Sequence, residues 1–448
     1  MLKRKKGFNI VTKSLRCKLL RDGFDLSETK TAFNEVVNFF FELIDMHRGH
    51  GLDIPLKDNG GWRYYELLVI GDNPEYEFIY PGFPSPLKRA AIRKAIGAYI
   101  GWRTLYQKWQ QRPKRQKHHR PPMKPRKFNF SPGFDVGMRK DDDGYSIVLK
   151  LLHKGQWKWI KFYYQSPPSK NEWQKGSPSV ICKGKTAYLT FALEKYVPAT
   201  GGTKKVMAAD SYRVCSVDID LDRHIAIASV LETDARGNVW EVARRFINQK
   251  NHVKRRKRDL GLIAISMSKT GIIHEGFNAL LWQKLHNREI EFSRAVAREL
   301  VEFAKFNQCS VIVFEHLVNL KPCRGKYSRR SNQKRAYWLK SRVFNQTKDI
   351  AYRDYGILTT RVNPKNTSRL DPWENSLWRG DKFPSSLLDY VEYQPGAFFV
   401  ANTSGYKAHS GLNAARNIGL KAIGRHRTNP YFLRGKPEIE IAQVCNET

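Results

Sequence analysis

Residues 214–230 have the sequence VCSVDIDLDRHIAIASV, and residues 311–317 have the sequence VIVFEHL. Each stretch is an apolar run that carries an acidic residue, Asp218 in the first and Glu315 in the second. A short turn divides the first stretch into two strands, and a long amphipathic helix with Phe292 and Leu300 on one face precedes the second. This alternation of strands and helices predicts an α/β domain from about residue 206 onward.

The two acidic residues are the candidate catalytic groups of this domain. A charge in an apolar strand is costly unless a metal ion or a cation compensates it. Hydrolysis of a phosphodiester with two divalent ions requires three or four carboxylates that hold the ions about 4 Å apart. Asp218 and Glu315 could supply two of them, although strand-end acids that bond to the backbone or to arginine are also common.

The charge of the chain indicates a polyanionic partner. Its 448 residues include 79 Lys and Arg against 42 Asp and Glu, which gives a net charge of +37. This excess exceeds what solubility requires, and nucleic acid is the leading candidate. No apolar run reaches the length of a membrane span, so we expect no membrane partner and a cytoplasmic, nucleoid-associated protein. Six scattered cysteines without a CxxC pair predict neither a disulfide framework nor a zinc ribbon.

The N-terminal half combines strand and helix patterns with a basic linker. Alternation predicts a strand at residues 8–20, and two amphipathic patterns predict helices between residues 26 and 109. The linker QQRPKRQKHHRPPMKPRK (110–127) is rich in proline and cations, which suits contact with phosphates. Short alternating runs then predict a small antiparallel sheet or barrel, which ends near residues 198–205.

Clusters of cations predict the nucleic-acid contacts, with solvated surface charge as the alternative. They lie on the second helix, in the linker, on a helix near residue 255 and in a loop after Glu315. The candidates are Arg93, Lys94, Arg103, Arg112, Lys114, Arg115, Lys117, Arg120, Arg255, Arg256, Lys257, Arg324, Arg329, Arg330, Lys334 and Arg335.

The C-terminal half resembles the RuvC nuclease domain of TnpB, the transposon-encoded relative of compact type V CRISPR effectors. VDIDLDRHIAIAS resembles the first catalytic motif, VIVFEHLVNL the second, and GLNAARNI (411–418) the third. The match covers residues 214–420. It implies a ribonuclease H-like (RuvC) α/β domain in a multidomain α+β protein, with Asp218 and Glu315 at catalytic positions.

The chain departs from this family at three places. Gly411 stands where the third motif has its metal-binding aspartate. The zinc-binding cysteines of the family correspond to Asp371, Glu374, Ala401 and Ser404, so we expect no zinc. Asp220 and Asp222 are predicted to share the face of Asp218. One of them could replace the lost ligand, although a residue two positions along a strand is displaced by about 6.6 Å.

The resemblance also implies a domain organisation. Residues 1–24 and 120–200 would form a wedge-like β-barrel, and residues 25–119 an inserted helical recognition domain with the basic linker. Residues 206–365 and 406–448 would form the RuvC-like domain, and residues 366–405 a degenerate zinc-ribbon-like insertion.

These expectations predict a prokaryotic RNA-guided protein that binds double-stranded DNA without cutting it, and therefore no enzyme. Its partners would be a guide RNA and target DNA, and it would act by occupancy, either in transcriptional repression or with a transposition machinery. No cofactor would be required. Two alternatives stay open: an active RNA-guided endonuclease that uses magnesium at a rearranged site, and an unguided protein that binds structured RNA.

Overall fold

The computed structural model describes most of the chain as two compact units, formed by Met1–Lys5 with Ile10–Tyr196 and by Lys6–Asn9 with Val197–Thr448. Within them, the described residues are 2–3, 5–20, 26–49, 59–70, 74–112, 120–134, 137–165, 172–183, 186–220, 224–270, 276–317, 320–323, 325–368, 370–373, 398–400, 407–425 and 433–434. Among these residues we find no helix that combines the length and the apolar character of a membrane span.

Among the described residues of the first unit, three helices and a six-stranded sheet are found. Its elements are β1 (Phe8–Leu20), α1 (Ser27–Gly49), α2 (Asn59–Leu67), α3 (Ser85–Gln110), β2 (Arg139–Lys140), β3 (Ser146–His153), β4 (Gln156–Tyr164), β5 (Gln174–Lys183) and β6 (Thr186–Pro198). The strands follow the order β2-β3-β4-β1-β6-β5, so the N-terminal strand pairs with strands far along the chain.

One hydrophobic core joins the helices and the sheet of this unit. Alternation along β4 buries Ile160 and Phe162 on one face of the sheet. Phe33 of α1 meets Phe130 edge to face at 5.4 Å between ring centroids, and the Thr29 hydroxyl accepts a hydrogen bond from the Leu152 N–H at 3.0 Å. Residues of the helices and of the strands both belong to this core. The division into a wedge and a helical domain stays a prediction.

The second unit is built on a mixed five-stranded sheet. Its elements are α4 (Thr203–Val206), β7 (Tyr212–Asp218), β8 (His224–Thr233), β9 (Val239–Asn248), α5 (Lys250–Thr270), α6 (Ala279–Phe306), β10 (Val311–Glu315), α7 (Arg329–Ala336), α8 (Lys340–Tyr355), β11 (Leu358–Val362), β12 (Phe398–Val400), β13 (Lys407–His409) and α9 (Ser410–Gly424). The sheet has the order β11-β10-β7-β8-β9, in which β7, β8 and β9 are antiparallel and β10 is parallel to both β7 and β11.

Helices cover both faces of this sheet. Cys215 and Val217 belong to one core with α6 and α8, whereas Val214 of the same strand belongs to a second core with Ile418 of α9. This division follows the period of two along β7. Helix α9 approaches the sheet closely at Gly419, where a Cβ atom would lie 2.8 Å from Ser216 Oγ. The faces of the sheet therefore determine which side chains meet α9.

Candidate functional site

Asp218 and Glu315 lie at the carboxyl ends of neighbouring parallel strands. Asp218 is the last residue of β7 and Glu315 the last of β10, and the register pairs Val217 with Phe314, the residues just before them. By alternation Asp218 shares the face of Val214, and Glu315 shares the face of Val313, which is the face that α9 covers. Both acidic residues are half-buried. Strand pairing thus brings two carboxylates, 97 positions apart in the sequence, to one edge of the sheet.

The N-terminus of α9 places position 411 beside Asp218. A Cβ atom built on Gly411 would lie 3.3 Å from Asp218 Oδ2 and 2.4 Å from Ile227 Cδ1. An aspartate here would therefore contact Asp218, but only if Ile227, which is completely buried, moved aside. The structure brings together the three positions that the sequence motifs single out.

His409 caps the start of α9. Its Nδ1 accepts a hydrogen bond from the Gly411 N–H at 3.1 Å, so this nitrogen carries no proton. Its ring centroid lies 5.6 Å from those of His224 and Phe246. The imidazole thus fixes the start of the helix beside position 411.

A cleft of about 270 Å³ contains these groups. Asp218, Asp220, Glu315 and Gly411 line it, together with the apolar side chains Ile219, Leu317, Leu320, Trp338 and Ala414. Asp220 reaches the cleft from beyond the end of β7, where its N–H donates to the Ile225 carbonyl at 3.2 Å. Asp222 lies outside the described residues.

The described carboxylates that line this cleft are those of Asp218, Asp220 and Glu315, and position 411, against Asp218, has no side chain. A two-metal centre requires three or four carboxylates that converge on the ions. Within the part of the chain that the structure describes, no group of three or more His, Cys, Asp or Glu side chains is close enough to hold a metal ion.

Glu315 is held by a segment that α9 fixes in place. The Thr367 hydroxyl contacts Glu315 Oε1, and Asn417 of α9 donates from Nδ2 to the Thr367 carbonyl at 2.9 Å. Asn413 donates in the same way to the Leu370 carbonyl at 3.0 Å. Asn413 and Asn417 thus hold the backbone of residues 367 and 370, and Thr367 contacts Glu315. Their spacing on one helix does not predict this role.

A buried ion pair anchors the middle of α9. Arg416 is completely buried, and its Nη2 contacts Glu241 Oε2 on β9. Its guanidinium also lies 4.8 Å from the centroid of the Trp373 ring. Glu241 is further held by the Ser229 hydroxyl at 2.7 Å and by Arg244 at 3.7 Å. Sequence patterns alone do not identify Arg416 as buried, because an arginine between small and polar residues is usually exposed.

The zinc positions of the family have a different role where the structure describes them. Asp371 is buried, and its Oδ1 accepts a hydrogen bond from the Trp373 N–H at 2.8 Å, which stabilises a tight turn. Glu374, Ala401 and Ser404 lie outside the described residues. The expectation that no zinc is bound stays a prediction.

The predicted nucleic-acid contacts in the first unit lie mostly at the surface. Arg103, Arg112 and Arg120 are exposed and Lys94 is half-buried, while the exposed Arg93 lies 5.0 Å from the centroid of the Trp62 ring. Further along α3, the rings of Tyr106 and Trp109 are 5.7 Å apart. Lys114, Arg115 and Lys117 of the linker lie outside the described residues.

In the second unit the predicted cations divide into exposed and internally bonded groups. Arg255 and Lys257 are exposed. Arg256 instead donates from Nη1 to the Tyr337 carbonyl at 3.1 Å, and burial lowers the pKa of its guanidinium. The remaining candidates lie on helix α7 and are Arg329, Arg330, Lys334 and Arg335. The guanidinium of Arg335 lies 4.0 Å from the centroid of the Tyr327 ring. Arg324 lies outside the described residues.

Comparisons with known proteins indicate what the chain resembles. A model of the Aq_aa04 family matches residues 13–153, less than half of the chain. No curated protein matches. Among solved structures, the chain is similar to that of a Cas12f1-sgRNA-target DNA complex, with 12% identity and a TM-score of 0.53 over 92% of this chain and 99% of that one. At this identity the similarity concerns the fold alone: the chain is a mixed α+β protein similar in fold to a type V effector.

Larger effectors are also found at lower similarity. C2c1 of Alicyclobacillus acidoterrestris in complex with single-guide RNA is 10% identical, with a TM-score of 0.47 over 88% of this chain and 68% of that one. The Cas12i1 R-loop complex after target DNA cleavage is 12% identical, with a TM-score of 0.46 over 90% and 70% of the two chains.

Proposed function

We propose that this chain is an RNA-guided protein that binds double-stranded DNA without cleaving it and acts by occupying its target. The observation that carries the loss of cleavage is the position of Gly411. A Cβ atom at position 411 would lie 3.3 Å from Asp218 Oδ2, and the side chain of Ile227 occupies the space that this atom would need. Of the three motif positions only Asp218 and Glu315 then carry a carboxylate, and these two alone anchor too few divalent ions for phosphodiester hydrolysis.

Binding of nucleic acid is supported by the charge and by the fold. The chain has a net charge of +37. When its lysines and arginines contact phosphates, they release the counterions of the nucleic acid, and this release favours binding. The Cas12f1 structure that the chain resembles over 92% of its length was solved with sgRNA and target DNA. Base pairing between guide and target would then carry most of the sequence recognition, and the protein would contact backbones and a short flanking motif.

In this proposal the mixed sheet of the second unit is the RuvC-like domain, and the first unit supplies the wedge and recognition surfaces. A protein that keeps its position on DNA without cutting it can block transcription or mark a site for a transposition machinery. The partners are accordingly the guide RNA, the target DNA and one of these two machineries.

A second candidate function is an active RNA-guided endonuclease with a rearranged site. The observation in its favour is that Asp220 lines the same cleft as Asp218 and Glu315. Movement of residues 219 and 220 on binding nucleic acid would be needed to bring this carboxylate next to the other two.

The decisive experiment uses the protein purified with its RNA. Sequencing that RNA identifies its variable end, and a matched DNA duplex is then tested for binding and for cleavage with Mg²⁺. We expect binding of the matched duplex and no cleavage. Cleavage by the wild type that is lost in both Asp218→Ala and Asp220→Ala would reject the proposal and support the second candidate. If the copurified RNA is a mixture of fragments without a discrete species, the protein binds RNA without a guide, and the proposal is also rejected.

A restored carboxylate provides the positive control. Gly411→Asp introduces the third acid, and Ile227→Ala removes the side chain that fills its space. We expect the double variant to acquire cleavage that a further Asp218→Ala change abolishes, while Ile227→Ala alone stays inactive. An inactive double variant that still binds the duplex would show that more than one carboxylate separates this cleft from a nuclease.

A further inference from the structure

The outer face of the β2-β3-β4 sheet carries large aromatic side chains. Along β4 the side chains alternate, so that Ile160 and Phe162 are buried while Trp159 is 41% and Tyr163 56% exposed. The register places Lys150 of β3 opposite Trp159, and Val148 opposite Lys161. Because opposite residues of an antiparallel pair share a face, these side chains lie together on the surface that points away from the core.

Lysine ammonium groups lie over these exposed rings. The Nζ atoms of Lys140 and Lys150 are 5.1 and 5.9 Å from the centroid of the Trp159 ring, and Lys161 Nζ is 5.3 Å from that of Tyr163. Such contacts at exposed sites are weak, and the long lysine side chains rotate easily. A nucleobase stacks on an exposed ring more strongly, and the displaced ammonium groups can then bind the adjacent phosphates.

We propose that this face, defined by Lys140, Lys150, Trp159, Lys161 and Tyr163, binds unpaired nucleotides of RNA by stacking. The inference deepens the proposed function and rests on it, because it assigns to this face the single-stranded part of the RNA that the chain holds. None of these five residues is among the contacts that the basic clusters of the sequence predict.

The separation of the two rings favours unpaired nucleotides over a duplex. Trp159 and Tyr163 are four residues apart on one strand, which corresponds to about 13 Å. Neighbouring bases in a helix are only about 3.4 Å apart. The rings therefore suit two separated bases of an extended or looped strand, and stacked base pairs present no free base surface to either ring.

The turn before β3 sets one edge of this face. The Asp143 carboxylate accepts hydrogen bonds from the Tyr145 and Ser146 N–H groups and from the Ser146 hydroxyl, which lowers its pKa to about 2. It therefore stays negative and repels phosphate near Lys161.

The test measures binding of an oligouridylate, which forms little structure of its own, to the full-length protein over a series of salt concentrations. Trp159→Ala with Tyr163→Ala should weaken binding about five-fold or more for each ring, with an unchanged salt dependence. Trp159→Phe with Tyr163→Phe should retain most of the affinity. Lys140→Ala with Lys150→Ala should instead flatten the salt dependence.

Trp282 supplies the matched control, because it is 42% exposed and lies on α6 in the second unit. Trp282→Ala should leave oligouridylate binding unchanged. The inference is overturned if the double alanine variant binds oligouridylate as well as the wild type does, or if Trp282→Ala causes an equal loss.

Photo-crosslinking separates a lost contact from a lost fold. Oligouridylate that contains 4-thiouridine should crosslink to the wild-type peptide with Trp159 and Tyr163, and absence of this crosslink also overturns the inference. This crosslinking result can be distinguished from a failure of the proposed function. A protein that forms the crosslink but purifies without a discrete guide RNA would retain this face and lose the proposed function.

Discussion

Removal of the buried Arg416 guanidinium should destabilise the second unit more than any surface ion pair. Arg416→Ala leaves Glu241, which is only 11% exposed, without its closest cation. Loss of one partner of a buried pair costs about 3 to 5 kcal/mol. Because Ser229 and Arg244 still contact Glu241, we expect the lower value, a decrease of about 3 kcal/mol in the free energy of unfolding.

The assay is urea and thermal unfolding followed by circular dichroism. For a unit of this size, about 3 kcal/mol corresponds to a fall in Tm of about 6 to 12 °C. Hydrogen exchange of peptides from α9 assigns the loss to the second unit.

Arg245→Ala is the matched control. Arg245 lies on the same strand as Glu241 and pairs with Glu299 at 2.9 Å, but its side chain is 55% exposed. Exposed pairs contribute at most about 1 kcal/mol. The reasoning is refuted if Arg416→Ala lowers the free energy of unfolding no more than Arg245→Ala does. Replacement of both buried partners, with Arg416→Met and Glu241→Leu, should recover most of the stability.

Three further predictions concern packing, pH and the linker. Gly419→Ala should destabilise the protein by about 1 to 3 kcal/mol in urea unfolding. The added Cβ would lie 2.8 Å from Ser216 Oγ and 2.5 Å from Leu231 Cδ1. Unchanged stability would contradict the close approach of α9. Burial, followed by the charges of Arg256, Arg255 and Arg288, lowers the pKa of His252 from 6.5 to about 4. Between these values the unfolded chain binds a proton that the folded chain does not, so stability should be lost as the pH falls from 6.5 to 4. His252→Phe should reduce this loss in Tm measurements, and an identical pH dependence would refute the assignment. In the linker, the cations to be neutralised are Arg112, Lys114, Arg115 and Lys117. Their loss should weaken RNA binding and flatten the dependence of the affinity on salt concentration. An unchanged salt dependence would show that the linker does not contact the nucleic acid.

Local sequence patterns were sufficient to predict several elements of the second unit and the acidic residues at their ends. The short runs rich in valine and isoleucine that carry Asp218 and Glu315 are typical of buried strands, and both residues do end strands. The excess of cations indicated a polyanionic partner in the same direct way. These features are local, so that neighbouring residues are sufficient to specify them.

Which distant residues meet depends instead on how the elements pack. The register of β7 with β10 and the close approach of α9 bring Gly411 to Asp218, although 193 positions separate them. The same packing buries Arg416 against Glu241 and fills the space at position 411 with Ile227. It also turns Trp159 outward, because the pairing of β3 with β4 determines which face of the strand is covered. Periodicity identifies the two faces of an element, whereas the partners that cover each face depend on contacts between residues far apart in the sequence.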